Sequence, residues 1–330
     1  TVRHAMKSPP LAATALTRTA GLLMPLLVSG RSELGATEVI RVLTGTSEVR
    51  AHEIIVRNYR LPRVLVGLVA GALLALAGVL LQAVMRNPLA EPSTTGVGSG
   101  AALGVVVSIL VLPAPGTAPL ASLLGAAGAG LALYLLGRRS LAVAGILIGA
   151  VLSAATSLLL VVDAQPMGVV LRWLIGSLNA RTMDDWNRLW PWAIVLIPAG
   201  LLCASRANAL VLGDATSTGL GIRPHRTRML LLAIAVLATA TAVTAAGAVA
   251  FVGLIAPHAA RAALGGDHRG LIPVSLIGGA VLLSSADLLA FSASIDIPGS
   301  GPDVSGLPVG AVTALVGAPY LIWLIRKDAR

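Results

Sequence analysis

Charge is scarce in this sequence. Of 330 residues only 12% are Asp, Glu, Lys or Arg, about half the fraction a soluble domain carries. There is too little charge to clothe the chain in water, so most of its surface must face lipid or other helices. Aromatic residues are few, with two Phe, three Tyr and five Trp. The single cysteine, Cys203, excludes an internal disulfide and any paired-cysteine motif. Lying in an apolar run, it reads as a small buried residue rather than a reactive thiol. There is no HExxH, no GxSxG and no Walker sequence. The first two absences exclude the commonest zinc-protease and hydrolase signatures, and the third excludes P-loop ATP hydrolysis by this chain. No stretch closes on a signal-peptidase pattern, so no cleaved leader is expected.

What fills the space is apolar and small. The hydrophobic fraction is 56%, there are 36 Gly, and the mean hydropathy is +0.88. Small residues let membrane helices approach closely. The fold class expected is an all-α polytopic membrane protein, one transmembrane domain over residues 1–330 with no separate soluble domain. A span needs about 20 apolar residues. Candidates are 64–84, 97–112, 118–136, 141–162, 189–205, 229–249, 271–291 and 309–325. Two weaker ones are 11–29, which carries Arg18, and 250–264, which is short and contains Pro257. Counting both gives ten.

Charge placement supports the even count. With the N-terminus in the cytoplasm and the spans alternating, the inner segments hold fourteen basic residues against four acids. The outer segments hold nine of each, so the whole net charge of +10 falls on one face. That is the positive-inside pattern, and both termini come out cytoplasmic. The same net charge in a soluble protein would suggest nucleic acid. Here its placement points to membrane lipid, with no nucleic-acid partner. In the outer segments, 31–60 mixes apolar and charged residues as surface helices do, and Trp173, Trp186 and Trp190 read as interface anchors.

Few residues suggest chemistry. GVGSG at 96–100 lacks a strand–helix unit and reads as close helix packing. FVGLIAPHAARAALGGDHRG, 251–270, places Pro257 and His258 together in apolar sequence. A lone histidine does not make a metal site, because zinc takes three or four ligands. A structural histidine near a helix end, a gate and a relay remain as readings. Asp287 is the only acid well inside a span, with Ser284 one turn earlier on the same face. An ionised carboxylate there needs partners, and it either bonds within the bundle or serves transport or gating. In RNPLAEPST, 86–94, Pro88 and Pro92 break helix and Asn87 can stabilise a turn, giving a rigid inner connection. In VLGDATSTGLGIRPHRTR, 211–228, Asp214 can cap a short helix, Gly219 or Gly221 can end it, and Pro224 lies beyond. A short surface helix between two spans is a lever for a partner protein; an ordinary solvated linker is the plainer alternative.

Three ordered blocks carry a family resemblance. RLPRVLVGLVAGALLALAGVLLQAVMRNPLAEP (60–92), FVGLIAPHAARAALGGDHRGLIPVS (251–275) and LPVGAVTALVGAPYLIWLI (307–325) resemble the FecCD family of ABC importer permeases, and the likeness runs over about residues 55–326. The resemblance implies ten transmembrane helices per subunit in the bacterial cytoplasmic (inner) membrane. It also implies a second permease subunit, identical or related, two cytoplasmic ATPases and an extracytoplasmic substrate-binding protein. ATP and Mg2+ belong to the ATPases; this chain would bind no cofactor or metal and hold no catalytic residue. The family's coupling helices, between its sixth and seventh spans, correspond to Asp214, Ala215, Thr216, Gly219, Leu220 and Gly221. Arg60 and Arg63 match positions that meet acidic residues of the binding protein. Pro257 would fall in an interrupted helix, and Asp267, His268 and Arg269 would fix the following turn. The sequence departs from the family pattern after Asp287, where no arginine follows, and at Leu307, where relatives carry Glu. The intervening loop, 294–306, is rich in Gly and Pro. The substrate class implied is ferric siderophore, with haem or cobalamin as alternatives. The rival from another class is a proton-coupled carrier working through Asp287.

Overall fold

The computed structural model describes residues 34–47, 49–111, 114, 116–137, 140–162, 167–292, 294–295, 304–305 and 307–328. The expected span at 11–29 and most of the 294–306 loop lie outside the described residues.

The described chain opens with α1 (Ala36–Thr44), a surface helix that turns Val39 and Val42 inward. A short α2 (Arg50–Ile54) runs through a π-helical turn, Ile55–Arg60, into α3 (Leu61–Met85). The three form one continuous rod of 36 residues, Arg50–Met85. The wide turn lies just ahead of Pro62, whose ring would crowd the carbonyl four residues back in a regular helix. The helix therefore begins well before residue 64, where hydropathy alone sets its start.

Next come α4 (Val97–Leu110), α5 (Thr117–Leu136), α6 (Leu141–Val162), α7 (Met167–Ile175), α8 (Met183–Leu202) and α9 (Ala204–Val211). They are followed by α10 (Asp214–Gly219), α11 (Pro224–Ala246), α12 (Val252–Leu264), α13 (His268–Ser292) and α14 (Val309–Asp328). One two-residue antiparallel pair, Ser294–Ile295 with Val304–Ser305, follows α13. Among the described residues five helices are long and apolar enough to cross a membrane: the Arg50–Met85 rod, α5, α6, α11 and α13. Helices α8 and α9 make a sixth if counted together, bent by 48° at Cys203. Shorter apolar helices, α4, α12 and α14, occupy the remaining expected positions.

The core is built around α3. This helix is apolar on every side, and Leu73, Leu74, Leu76, Leu80 and Leu81 are fully buried. A helix hydrophobic all round belongs at the centre of a bundle. Helices α11, α13, α12 and α8 pack on it. Glycines set how close they come. A Cβ on Gly71 would overlap the Gly279 carbonyl of α13, and one on Gly78 would overlap the Gly253 carbonyl of α12. Helix α6 is just as apolar but peripheral, with Ile146, Leu147, Val151 and Leu158 exposed. Apolar residues on that outer face need lipid or another membrane helix against them.

Candidate functional site

The segment expected to couple, Asp214 to Gly221, hangs between α9 and α11. Gly213, at φ 107°, turns the chain out of α9, and α10 follows at once. Its end is a Schellman motif: Gly221 N–H donates to Thr218 O at 2.9 Å and Ile222 N–H to Ser217 O at 3.0 Å. Gly221 takes φ 76°, which a residue with a Cβ adopts only under strain. The helix thus stops at Gly219, as the sequence suggests, and Pro224 opens α11. The expected cap differs. Gly213 is the N-cap, and the Asp214 side chain is drawn away to two guanidiniums, Arg86 and Arg228. Arg228 donates to its two oxygens at 2.7 and 3.1 Å. Slight burial raises the Asp214 carboxyl, but hydrogen bonds and charge from Arg86 and Arg228 outweigh it and hold it below the usual carboxylate range. Two cations on one carboxylate outcompete a local backbone bond. Leu220, at 60% exposure, leaves an apolar tip facing outward.

Arg86 belongs to the RNPLAEP loop, so this pairing ties α10 to the end of the central helix. Arg86 caps α3 in a left-handed conformation, φ 49°, and its Nε also donates to Leu210 O at 3.0 Å. Asn87 Oδ1 accepts from Leu89 N–H at 3.0 Å, the turn expected of it, with Pro88 inside that turn.

Glu91 is the site residue that sequence reasoning treats only as a counter-charge. It is buried, and its carboxyl accepts from Phe251 N–H at 2.9 Å and from Ser93 Oγ at 2.5 Å. Burial pushes it up to about 7, against the pull of those two bonds. The sequence did hold a signal: Glu91 is the only charged residue between Arg86 and Arg138. Phe251, at φ 69°, starts α12. Glu91 therefore pins the beginning of the second family block to the end of the first.

Within α12 the structure corrects one expectation. The helix is not interrupted at Pro257; it runs through, and the break lies earlier, at 247–251. Pro257 has no N–H for the Gly253 carbonyl, and Gln82 Nε2 approaches that carbonyl at 3.4 Å instead. Gln82 Oε1 in turn accepts from Arg261 at 3.0 Å. His258 is half-buried and meets the edge of the Tyr320 ring, centroids 5.8 Å apart. Among the described residues no group of three His, Cys, Asp or Glu could hold a metal ion.

Asp267, His268 and Arg269 fix the turn between α12 and α13. Asp267 Oδ1 accepts from Arg269 N–H at 3.0 Å, an N-cap bond, and from Asn208 Nδ2 at 2.7 Å. These bonds hold its carboxyl below the usual range. His268 donates through its backbone N–H to Asn208 Oδ1 at 2.9 Å, and its Nδ1 lies 2.7 Å from the same oxygen. Asn208, on α9, thus clamps the turn between α12 and α13.

The remaining sequence candidates lie at the opposite end of α3, roughly 35 Å away at 1.5 Å per residue. Arg60 is buried. Arg63 donates to Asp287 through Nε at 2.6 Å and Nη2 at 2.8 Å, and its guanidinium lies 4.1 Å above the Phe291 ring. The partner of Asp287 is thus Arg63, 224 positions away, rather than Ser284. In this structure Arg63 points into the bundle instead of presenting its charge at the surface. Both oxygens of Asp287 accept hydrogen bonds from the Arg63 guanidinium, so neither is left open.

Comparisons with known proteins bear on the family and the fold. The chain is 36% identical over 286 residues to the Fe(3+)-citrate import system permease protein YfmE of Bacillus subtilis (strain 168), covering 84% of each chain. It is 36% identical over 325 residues to the hemin transport system permease protein HmuU of Yersinia pestis, covering 93% of this chain and 94% of HmuU. A solved structure of a metal-chelate-type ABC transporter in an inward-facing conformation superposes with a TM-score of 0.83 at 26% identity, covering 97% of this chain and 100% of that one. The profile of the FecCD transport family matches residues 18–327. With that match running nearly end to end, the chain belongs to the FecCD transport family.

Proposed function

We propose that this chain is the transmembrane permease subunit of an ATP-driven importer in the bacterial cytoplasmic membrane, carrying ferric siderophores. Haem or cobalamin would be carried by the same mechanism. The iron-citrate and hemin systems for which YfmE and HmuU are named support this substrate class. In the proposed topology, residues 11–29 supply a first span and the shorter helices α4, α12 and α14 also cross. That makes ten spans with both termini cytoplasmic. A second permease subunit completes the pathway, two ATPases bind ATP and Mg2+ below it, and a substrate-binding protein docks above.

The observation that carries the reading is the bolted lever. Helix α10 is exposed, short and held between spans, and Asp214 fastens it through Arg86 to α3. Force from an ATPase on Asp214, Ala215, Thr216, Gly219, Leu220 and Gly221 then reaches the most buried helix of the bundle without passing through a flexible linker. Tight packing transmits such displacement, because close-packed elements shift as units. At the outer end the binding protein meets Arg60, and engages Arg63 by offering a carboxylate in exchange for Asp287. Asn87, Pro88, Pro257, His258, Asp267, His268 and Arg269 hold the shape of the moving parts. The chain itself forms no covalent intermediate.

The test is native mass spectrometry of the gently solubilised complex captured through this chain. Two permease chains with two ATPase chains are expected, and the mass separates a homodimer from a mixed pair. A particle lacking ATPase across several mild lipid conditions, together with uptake independent of ATP, would refute the proposal.

A further inference from the structure

Three arginines on the inner side of the bundle surround an open concavity that contains no acid. Arg206 from α9, Arg223 from the end of the coupling loop and Arg226 from the first turn of α11 line a cavity of about 350 Å³ with Ile222 and Leu230. All three arginines are exposed. No ion pair among the described residues involves any of them, whereas neighbouring Arg86 and Arg228 both pair with Asp214. Three guanidiniums facing one hollow repel each other unless an anion sits between them.

We propose that this hollow is a binding site for the phosphate headgroup of an anionic phospholipid of the inner leaflet. The floor favours a lipid over a free anion or an acidic protein surface. Leu230 lies one turn below Arg226 on α11, and exposed Met229 (50%) and Ala233 continue that face toward the hydrocarbon. A ligand with phosphate above and acyl chain below matches both halves of the stripe. Arginine forks suit phosphate oxygens, and basic pockets between membrane helices on this side take anionic headgroups. Because Gly221, Ile222 and Arg223 form one wall, a bound headgroup would brace the exit of the coupling loop against α11. Lipid binding itself does not depend on the transport reading. Its leaflet, and its bracing of a coupling loop, rest on that reading.

The test titrates phosphatidylglycerol or phosphatidylcholine of matched acyl chains into the full-length protein in detergent and counts bound lipid by native mass spectrometry. Wild type should prefer phosphatidylglycerol. Each arginine near a membrane surface is worth about fivefold, so the triple substitution R206Q, R223Q and R226Q should lower phosphatidylglycerol affinity roughly a hundredfold. A matched control, R41Q, R50Q and R57Q at the outer segment, should leave it unchanged. If the triple variant does not fold, R206Q and R226Q singly should each show about the fivefold loss. No preference between the two lipids, equal binding by wild type and variant, or equal loss in the control would overturn the proposal. Displacement of the lipid by excess inorganic phosphate would show a free-anion site and overturn it as well. So would loss of ATPase co-purification with lipid binding intact, which would assign the arginines to the protein interface. Because lipid counting needs no ATPase, its outcome is independent of the importer test.

Discussion

Replacing Asp287 by Asn tests whether the buried ion pair at the N-terminal end of α3 is structural. The pair is bidentate at 2.6 and 2.8 Å, and its side chains are only 15% and 10% exposed. D287N keeps the shape but leaves the Arg63 guanidinium without its anion in a low-dielectric setting. Removing one member of a buried pair costs about 3–5 kcal/mol. R63M should cost a similar amount by stranding the carboxylate. The double variant R63M and D287L removes both charges and fills the space with apolar atoms, and should fall within about 1 kcal/mol of wild type or be more stable. The assay is equilibrium unfolding of the purified protein in mixed micelles, read as a double-mutant cycle. Single variants that each cost less than about 1 kcal/mol, or a double variant that costs the sum of the singles, would refute the reasoning. Uptake is read on folded D287N, which keeps Arg63 for docking and has no carboxyl to titrate at 287, and ATP-driven uptake should persist. Abolished uptake in that variant with the fold intact would return Asp287 to a proton-coupling role.

Three further outcomes follow from other parts of the structure. D214N should change stability by less than about 1 kcal/mol, because its side chain is 51% exposed; uptake into proteoliposomes should nevertheless fall at least about tenfold, and normal uptake would remove the lever. Glu91 is raised in the folded state, so that state holds the extra proton between the ordinary glutamate range and about pH 7. Stability should therefore fall as pH rises through that window and level off above it, and E91Q should flatten the profile measured by unfolding at several pH values; an unchanged profile in E91Q would place the dependence elsewhere. G78A should destabilise severely because its Cβ has no room beside Gly253, whereas G128A, with open space around it, should be neutral in the same unfolding assay; equal effects would mean that the contact is not close.

The sequence by itself determined the class of fold, because membrane helices leave their mark in uninterrupted local composition. Low charge and apolar runs placed α5, α6, α11 and α13 close to their structural positions. The end of the short helix α10 was equally legible, since Gly219, Gly221 and Pro224 are stop signals that act over a few residues. The family resemblance implied an interrupted helix at Pro257 and local signals suggested a cap at Asp214, and in both places distant side chains prevailed. Gln82, 171 positions away, approaches the carbonyl that Pro257 leaves without a donor, and Arg86, 128 positions away, takes the carboxylate that would have capped. The pairing of Arg63 with Asp287 and the burial of Glu91 under Phe251 were likewise decided only by tertiary structure. Hydropathy reports how each segment partitions between water and lipid. It does not report which polar groups meet once segments are packed, and in a low-dielectric bundle every buried charge must find a partner wherever the fold brings one within reach.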